Sequence, residues 1–289
     1  MDARPRKLKR VEEVLNSDKA NVLAASSEDG FSPPSIAEFF PPKLFEFGPD
    51  FLGQPLFAMT RINLIMIIMT VALLTFFYFA FRKPAVVPTK IQSLGEIFLD
   101  FVRVHISEEV LGHQAKRFNL LLTTMFFMVL AFSITGILPL MHIAASSVIA
   151  IPLILALASY VVFNYAGAKQ HGLVHYLQLN LFPPGVPKPL YVLVTPIELV
   201  STFIFRPATL TIRLVANMIA GHMLLVLFYS GANYMLLVSD SLLLKPFGVF
   251  SFAAGFAFTL FEILVAFLQA YIFTLLTAVY ISGAVSEEH

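Results

Sequence analysis

The sequence contains neither cysteine nor tryptophan, and it has few charged residues. Without cysteine there can be no disulfide framework and no thiolate metal site. Charged residues make up 13% of the 289 residues and hydrophobic residues 58%, a balance that cannot cover the surface of a soluble domain of this length. Without tryptophan, any aromatic belt at a membrane surface must consist of tyrosine and phenylalanine. The composition therefore predicts a membrane protein.

The first 56 residues also lack an apolar run long enough to span a membrane. Residues 1–32 combine a basic run at 4–10 with acidic and Ser/Asn-rich sequence, which predicts a polar, mobile tail. A patch for nucleic acid or lipid headgroups is the alternative interpretation. Two Pro-Pro pairs predict that residues 33–56 form a turn-rich, extracytoplasmic approach to the membrane. Residues 57–289 then form the membrane domain.

Five apolar stretches are long enough to cross a bilayer, which takes roughly 20 residues per helix. The last two are so long, at about 60 Å when helical, that each is either a tight hairpin or one strongly tilted helix. Turn backbone is not tolerated at membrane depth, and no turn-forming cluster interrupts either stretch, so two long tilted helices are favoured. The predicted spans are 57–81, 118–140, 147–166, 190–229 and 248–284.

A sixth helix is predicted at residues 90–113, where charged residues alternate with apolar ones as in an amphipathic helix that lies at the membrane surface. Basic residues concentrate between 82 and 117, whereas the loop at 141–148 has none. The positive-inside rule then places the N-terminus outside and the C-terminus in the cytoplasm. The basic run at 4–10 argues the other way but lies far from the first span. The fold class is therefore all-α and polytopic, with an added interfacial helix.

Seven polar or ionisable residues lie deep in the two long helices. An arginine at the centre of a bilayer costs ~2.5–3.5 kcal/mol on insertion scales, so such groups persist when they face protein or water and usually serve a function. They are Glu198, Arg206, Arg213, Asn217 and His222 in the first long helix, and Glu262 and Gln269 in the second.

Helical phase sorts these residues. At ~100° per residue, Asn217 lies close to Arg213 on one stripe, and His222 points roughly the opposite way. On the second long helix Glu262 and Gln269 share a face. This pattern predicts that His222 packs toward Glu262 and that the Arg213 face is left for something else.

Arg213 is the hardest of the seven to explain structurally, because its own helix offers no carboxylate within one turn. A buried cation without a partner calls for an external anion, such as a carboxylate on another protein. Simpler alternatives remain for the others. Glu262 and His222 could be a packing pair, Glu198 could snorkel to the surface, and Arg206 is interpreted as an end-of-span or structural residue.

Residues 209–222 resemble the signature of subunit a of F-type ATP synthases. In that family a single arginine, with asparagine four residues on and Ala-Gly before a protonatable residue, faces the rotor. Residues 181–198, 261–273 and 280–289 are also similar to the family, in particular to actinobacterial members, and the resemblance covers about residues 33–289. Some members exchange the imidazole and the acid between positions 222 and 262, and some place Asp where this chain has Gly136.

The resemblance implies a proton-translocating stator with two offset half-channels against a ring of c subunits in a bacterial plasma membrane. Arg213 would be the essential residue that separates the channels. The expected partners are the c-ring, b-type peripheral stalk subunits, membrane lipid and an F1 sector for the nucleotide chemistry, with no cofactor, metal or nucleic acid. The implied proton path comprises Glu198, Asn217, His222, Glu262 and Gln269.

Other classes fit the sequence less well. A secondary transporter usually shows internal repeats and broken helices, and no repeat is visible in this sequence. A subunit of a respiratory complex usually has more spans. A scaffold without transport would have no reason to keep Arg213, Glu262 and Gln269 together in the membrane.

Overall fold

A computed structural model describes residues 43–51, 54–82, 88–137, 149–181, 190–239 and 241–285. The tail predicted at 1–32 lies outside the described residues, as does the start of the approach segment. The chain divides into two compact units. One contains Met223–Phe258, and the other contains the described parts of Ile36–His222 and Thr259–His289.

Before the first helix the backbone forms a two-stranded hairpin that was not expected from the sequence. Strand β1 (Lys43–Phe51) pairs antiparallel with β2 (Gln54–Thr60), with Lys43 opposite Thr60. The first helix consequently begins at Arg61 rather than at residue 57. The boundary prediction was wrong because an apolar run such as Leu-Phe-Ala-Met suits a strand as well as a helix, and hydropathy alone cannot separate the two.

Helices make up most of the remaining described chain. A π-helical turn joins α2 to α3 at Arg103–Glu108, another joins α7 to α8 at Ser201–Phe205, and a third extends α8 at Tyr234–Val238. The α-helices are α1 (Arg61–Phe81), α2 (Lys90–Val102), α3 (Glu109–Leu111), α4 (Ala115–Ile134), α5 (Ala150–His171), α6 (Leu173–Leu181), α7 (Tyr191–Val200), α8 (Arg206–Asn233) and α9 (Lys245–Val285).

In the part of the chain that the structure describes, five helical stretches are long and apolar enough to cross a membrane, which confirms the predicted polytopic all-α class. Each of them overlaps one predicted span. They are Ile62–Phe81, Lys90–Ile134, Ala150–His171, Leu193–Val238 and Lys245–Val285.

The last two stretches decide between the two alternatives left by the sequence, a tight hairpin and one long helix. α9 runs without interruption for 41 residues, about 60 Å at ~1.5 Å per residue, so the hairpin alternative is wrong. The helix that carries the buried polar residues continues through Pro207, which occupies the first turn of α8 directly after a π turn. A proline inside a helix removes one backbone hydrogen bond and crowds the preceding turn, and here that preceding turn is the wider π turn.

The stretch from Lys90 to Ile134 is a helical hairpin. Its chain reverses at Gly112, whose φ of 53° favours glycine, and a 3-10 turn follows. Ser107 Oγ donates to the carbonyl of Ala115 at 3.3 Å. Farther from the turn, the rings of Phe98 and Phe127 lie 6.0 Å apart. The predicted amphipathic helix is thus present and packs along α4, and its location at the membrane surface stays a prediction.

Helix α6 falls in a segment that the sequence predicts to be a loop. Gly172, at φ 79°, ends α5 and lets the chain turn into α6. There the ring of Tyr176 packs directly on Gly167, where a Cβ would overlap it. Burial raises the pKa of the Tyr176 phenol, so the hydroxyl keeps its proton, which it donates to Asn164 Oδ1 at 3.3 Å. At nine residues the helix is too short for periodicity to reveal.

The buried core and the exposed surface are both apolar. Phe126, Phe163 and Phe273 are among the largest fully buried side chains. Large aliphatic and aromatic side chains are also widely exposed, including Leu120 at 80% and Phe250 at 75%. A surface of this kind suits hydrocarbon rather than water, which agrees with a membrane-spanning chain.

Candidate functional site

The predicted site residues come together where α8 and α9 run side by side. Asn217 contacts Gln269, and one turn further along α8 Gly221 contacts Glu262. The later residue on α8 contacts the earlier residue on α9, so the two helices are antiparallel here. Their facing surfaces carry small residues, among them the fully buried Ala266, which lets the backbones approach closely.

The shortest polar contact between the helices joins two amides. Asn217 Nδ2 donates to Gln269 Oε1 at 2.7 Å. The Gln269 side chain is 3% exposed, and its Nε2 has no hydrogen-bond partner among the residues that the structure describes. A buried donor of this kind is suited to a water molecule or a transient acceptor.

Glu262 lies against the backbone of α8. Its carboxylate occupies the space that a Cβ on Gly221 would need, so only glycine allows this approach. Glu262 is 5% exposed, and His222, next to Gly221, is 8% exposed. The structure therefore buries the acid and the imidazole in the same region of the helix pair, and the packing of His222 toward Glu262 stays a prediction. A direct hydrogen bond between His222 and Glu262 stays a prediction.

Arg213 lies one turn before Asn217 on α8 and is half-buried. Within the described part of the chain it has neither a hydrogen bond nor an ion pair. That its anion comes from outside the chain stays a prediction. The sequence also predicts Asn217 on the Arg213 face. The structure turns the Asn217 amide to Gln269, so the amide links that stripe to α9 and is not left for a partner.

Glu198 lies in α7, before the π turn, and is half-buried. In the described ranges no hydrogen bond or ion pair joins its carboxylate to another side chain. Its phase relative to Arg213 could not be predicted from a helical wheel, because the wider π turn at Ser201–Phe205 changes the rotation per residue.

Thr135 is next to Gly136, the position at which some members of the family that the sequence resembles have Asp. It is fully buried, and its hydroxyl donates to the carbonyl of Phe132 at 2.7 Å. Residues 138–148, which follow, lie outside the described residues. Within the described ranges, His, Asp and Glu side chains form no group of three that could hold a metal.

Sequence reasoning missed the role of Gly221 as the place where Glu262 packs. The available signal was a glycine directly before a protonatable residue within a long apolar stretch. It also missed the buried hydrogen bond from Ser159 Oγ to Thr277 Oγ1, 3.0 Å long, which ties α5 to α9. Neither residue is unusual enough in sequence to indicate that contact.

Comparison with known proteins shows the family of this chain. A family model described as ATP synthase A chain matches residues 63–282. ATP synthase subunit a of Rhodococcus erythropolis is 48% identical over 264 residues, which cover 90% of this chain and 93% of the relative. The chain belongs to the ATP synthase subunit a family.

Two further subunit a proteins support the same assignment. The one from a Nocardioides species is 38% identical and covers 93% of this chain and 99% of its own length. The one from a Parafrankia species is 40% identical and covers 92% of this chain and 88% of its own length. The predicted similarity to actinobacterial subunit a proteins is therefore confirmed.

Proposed function

We propose that this member of the subunit a family translocates protons through two offset half-channels that meet a rotating ring of c subunits, with Arg213 separating the channels. Membership of the family makes the chain the proton-translocating Fo subunit and a multi-pass membrane protein. The roles that we assign to its individual residues are the proposal.

The unpaired guanidinium of Arg213 carries the proposal. Its charge is half-buried on a helix whose neighbours are apolar, and the described residues offer it no anion. A buried cation of this kind is stabilised by a carboxylate from outside the chain. Its field favours the ionised form of a passing carboxylate, which helps the proton to leave. Guanidinium does not deprotonate in proteins, so Arg213 cannot itself conduct a proton between the channels.

The proton would enter from outside along the buried groups of the helix pair. Gln269 and Glu262 lie about two turns apart on the side of α9 that faces α8, and His222 is next to Gly221, against which Glu262 packs. Imidazole and carboxylate can both exchange protons near neutral pH. Asn217 holds Gln269 in place through its amide, and Glu198 is the candidate relay on the cytoplasmic side.

The assembly around the chain follows from this role. The c-ring supplies the carboxylates, b-type peripheral stalk subunits hold the stator, and the F1 sector carries out the nucleotide chemistry. An odd number of spans would put the two termini on opposite sides, and the basic residues between 82 and 117 favour a C-terminus in the cytoplasm, inside a bacterial plasma membrane.

Replacement of Arg213 tests the proposal. In membranes that hold the whole ATP synthase, Arg213→Ala should lower ATP-driven proton pumping by about a hundredfold or more, as expected when a pre-organised charge is lost. Passive proton flow through Fo after removal of F1 should persist or rise, because the barrier between the channels is gone. Arg117→Ala is the matched control, since Arg117 is exposed at the start of α4. Pumping at the normal rate by assembled Arg213→Ala complexes would overturn the proposal.

A further inference from the structure

Arg206 lies two turns before Arg213 on α8, and its guanidinium contacts two aromatic rings. Its guanidinium carbon lies 5.2 Å from the centroid of the Tyr280 ring and 6.0 Å from that of Phe163. The two rings are 5.9 Å apart and inclined at 58°. Arg206 therefore connects the start of α8 to α5 and to the end of α9.

The chemistry of this contact differs from that of an ion pair. The Arg206 side chain is half-buried and forms no hydrogen bond or ion pair within the described ranges. A guanidinium over an aromatic face is attracted by the ring quadrupole, most strongly where water is excluded, and Phe163 is only 1% exposed. The rings thus hold the cation without adding a carboxylate that could compete for a proton.

The contact also has a defined place in the register of the two long helices. Arg206 meets Tyr280, and Asn217 meets Gln269 farther along the same antiparallel pair. Arg213 lies between these two attachments, seven residues after the first and four before the second. The attachments are about 16 Å apart along the helix at ~1.5 Å per residue. Two attachments at that separation fix both the rotation of α8 and its axial position against α9.

Tyr280 is itself held from a third helix. One turn before it, Thr277 accepts the hydrogen bond of Ser159 from α5, and both side chains are fully buried. One turn after Ser159, Phe163 completes the ring pair. The aromatic contact is therefore anchored to a packed part of the protein and not to a free helix end.

We propose that Arg206 is a positioning residue, which sets the rotation and height of Arg213 through its contact with Tyr280 and Phe163. This inference rests on the proposed function of Arg213. Arg206 then contributes to the coupling of proton flow to rotation, although its side chain touches neither the proton nor the carboxylate of the c-ring.

The experiment compares variants that keep or remove the ring and the cation, in the intact ATP synthase. Arg206→Ala and Tyr280→Leu should each lower ATP-driven pumping per assembled complex by about tenfold, the factor expected for loss of a desolvated cation–π contact. Tyr280→Phe keeps the ring and should restore nearly the full rate. The double variant should be no slower than either single one, because both remove the same contact. Val279→Ala, at an exposed neighbouring position, is the control for changes to this part of α9.

Each outcome separates this inference from a purely structural role. If the variants only reduced the amount of assembled complex and left the rate per complex unchanged, the positioning role would be wrong. It would also be wrong if Tyr280→Phe were as slow as Tyr280→Leu, since the hydroxyl and not the ring would then matter. Arg213→Ala measured in parallel distinguishes the two proposals. Normal pumping there overturns the proposed function, whereas loss there with normal pumping in Arg206→Ala overturns only the positioning role.

Discussion

Asn217 on α8 and Gln269 on α9 are joined by a hydrogen bond of 2.7 Å between two long, mainly apolar helices. Hydrogen bonds between membrane helices contribute ~0.6 kcal/mol on average and up to ~1.7 kcal/mol. The direct energy is therefore modest. Its greater effect is geometric, because it fixes the side of α8 that faces α9 one turn from Arg213.

Removal of either amide should weaken this link. Asn217→Leu and Gln269→Leu are each expected to lower the free energy of unfolding by about 1 kcal/mol and to reduce ATP-driven pumping. The exchange Asn217→Gln with Gln269→Asn keeps one donor and one acceptor and should recover part of both losses. Unfolding in SDS and pumping in vesicles measure the two effects. An exchange variant no better than the single variants would show that the bond itself does not matter.

A methyl group at Gly221 should displace the Glu262 carboxylate. Gly221→Ala is therefore expected to reduce pumping strongly, although alanine stabilises an isolated helix by about 1 kcal/mol relative to glycine. Gly283→Ala on α9 is the matched control, since no atom of the described residues lies within 4 Å of a Cβ placed there. Pumping per assembled complex is the measurement. Equal rates for the two variants would contradict the packing of Glu262 on Gly221.

Loss of the Tyr176 ring should release α6 from α5. Tyr176→Ala removes a side chain that is 4% exposed and is expected to destabilise the subunit by ~3–5 kcal/mol, as for other large core aromatics. Tyr176→Phe loses only the hydrogen bond to Asn164 and should cost about 1 kcal/mol. Val174→Ala, at a position that is 71% exposed, should have no effect. The midpoint temperature of thermal unfolding of the purified complex is the measurement, and it should fall most for Tyr176→Ala, less for Tyr176→Phe and not at all for Val174→Ala. A different order would contradict the packing of α6 through Tyr176.

The absence of cysteine makes the membrane orientation directly testable. Single cysteines at the exposed positions Lys116→Cys and Ser241→Cys should react with an impermeant maleimide from opposite sides. Lys116→Cys is expected to label only in inverted vesicles, because the basic segment is cytoplasmic, and Ser241→Cys only in intact cells. The unsubstituted chain gives no background, and the reverse pattern would invert the proposed topology.

The sequence predicted the long-range organisation well where a single physical requirement dominates. Backbone groups in hydrocarbon must be satisfied within a helix, so an apolar run such as 248–284 could be assigned to one helix, and α9 confirms it. The strands before Arg61 were missed because they lie outside that requirement. There, local packing decides between helix and strand, and a hydropathy pattern carries no information about it.

Within the candidate site, the burial of Glu262 and Gln269 was predictable because charge and amide groups stand out in apolar sequence. The pairing of Asn217 with Gln269 was not, because helical phase gives directions within one helix and not the rotation of two helices against each other. The partners of Arg206 were hidden for a related reason. Phenylalanine and tyrosine are so frequent in this chain that no individual ring is distinctive.

The π turn at Ser201–Phe205 acts as a one-residue insertion absorbed inside a continuous helix. Deleting a single residue from it would give regular α-helix and would leave the directions of Glu198 and Arg213 nearly unchanged, because the wider turn already takes up the ~100° that one residue adds. The π turn therefore separates the angular offset between the two groups from the number of residues between them. Related chains could gain or lose one residue here in a single evolutionary step while Glu198 and Arg213 keep their directions.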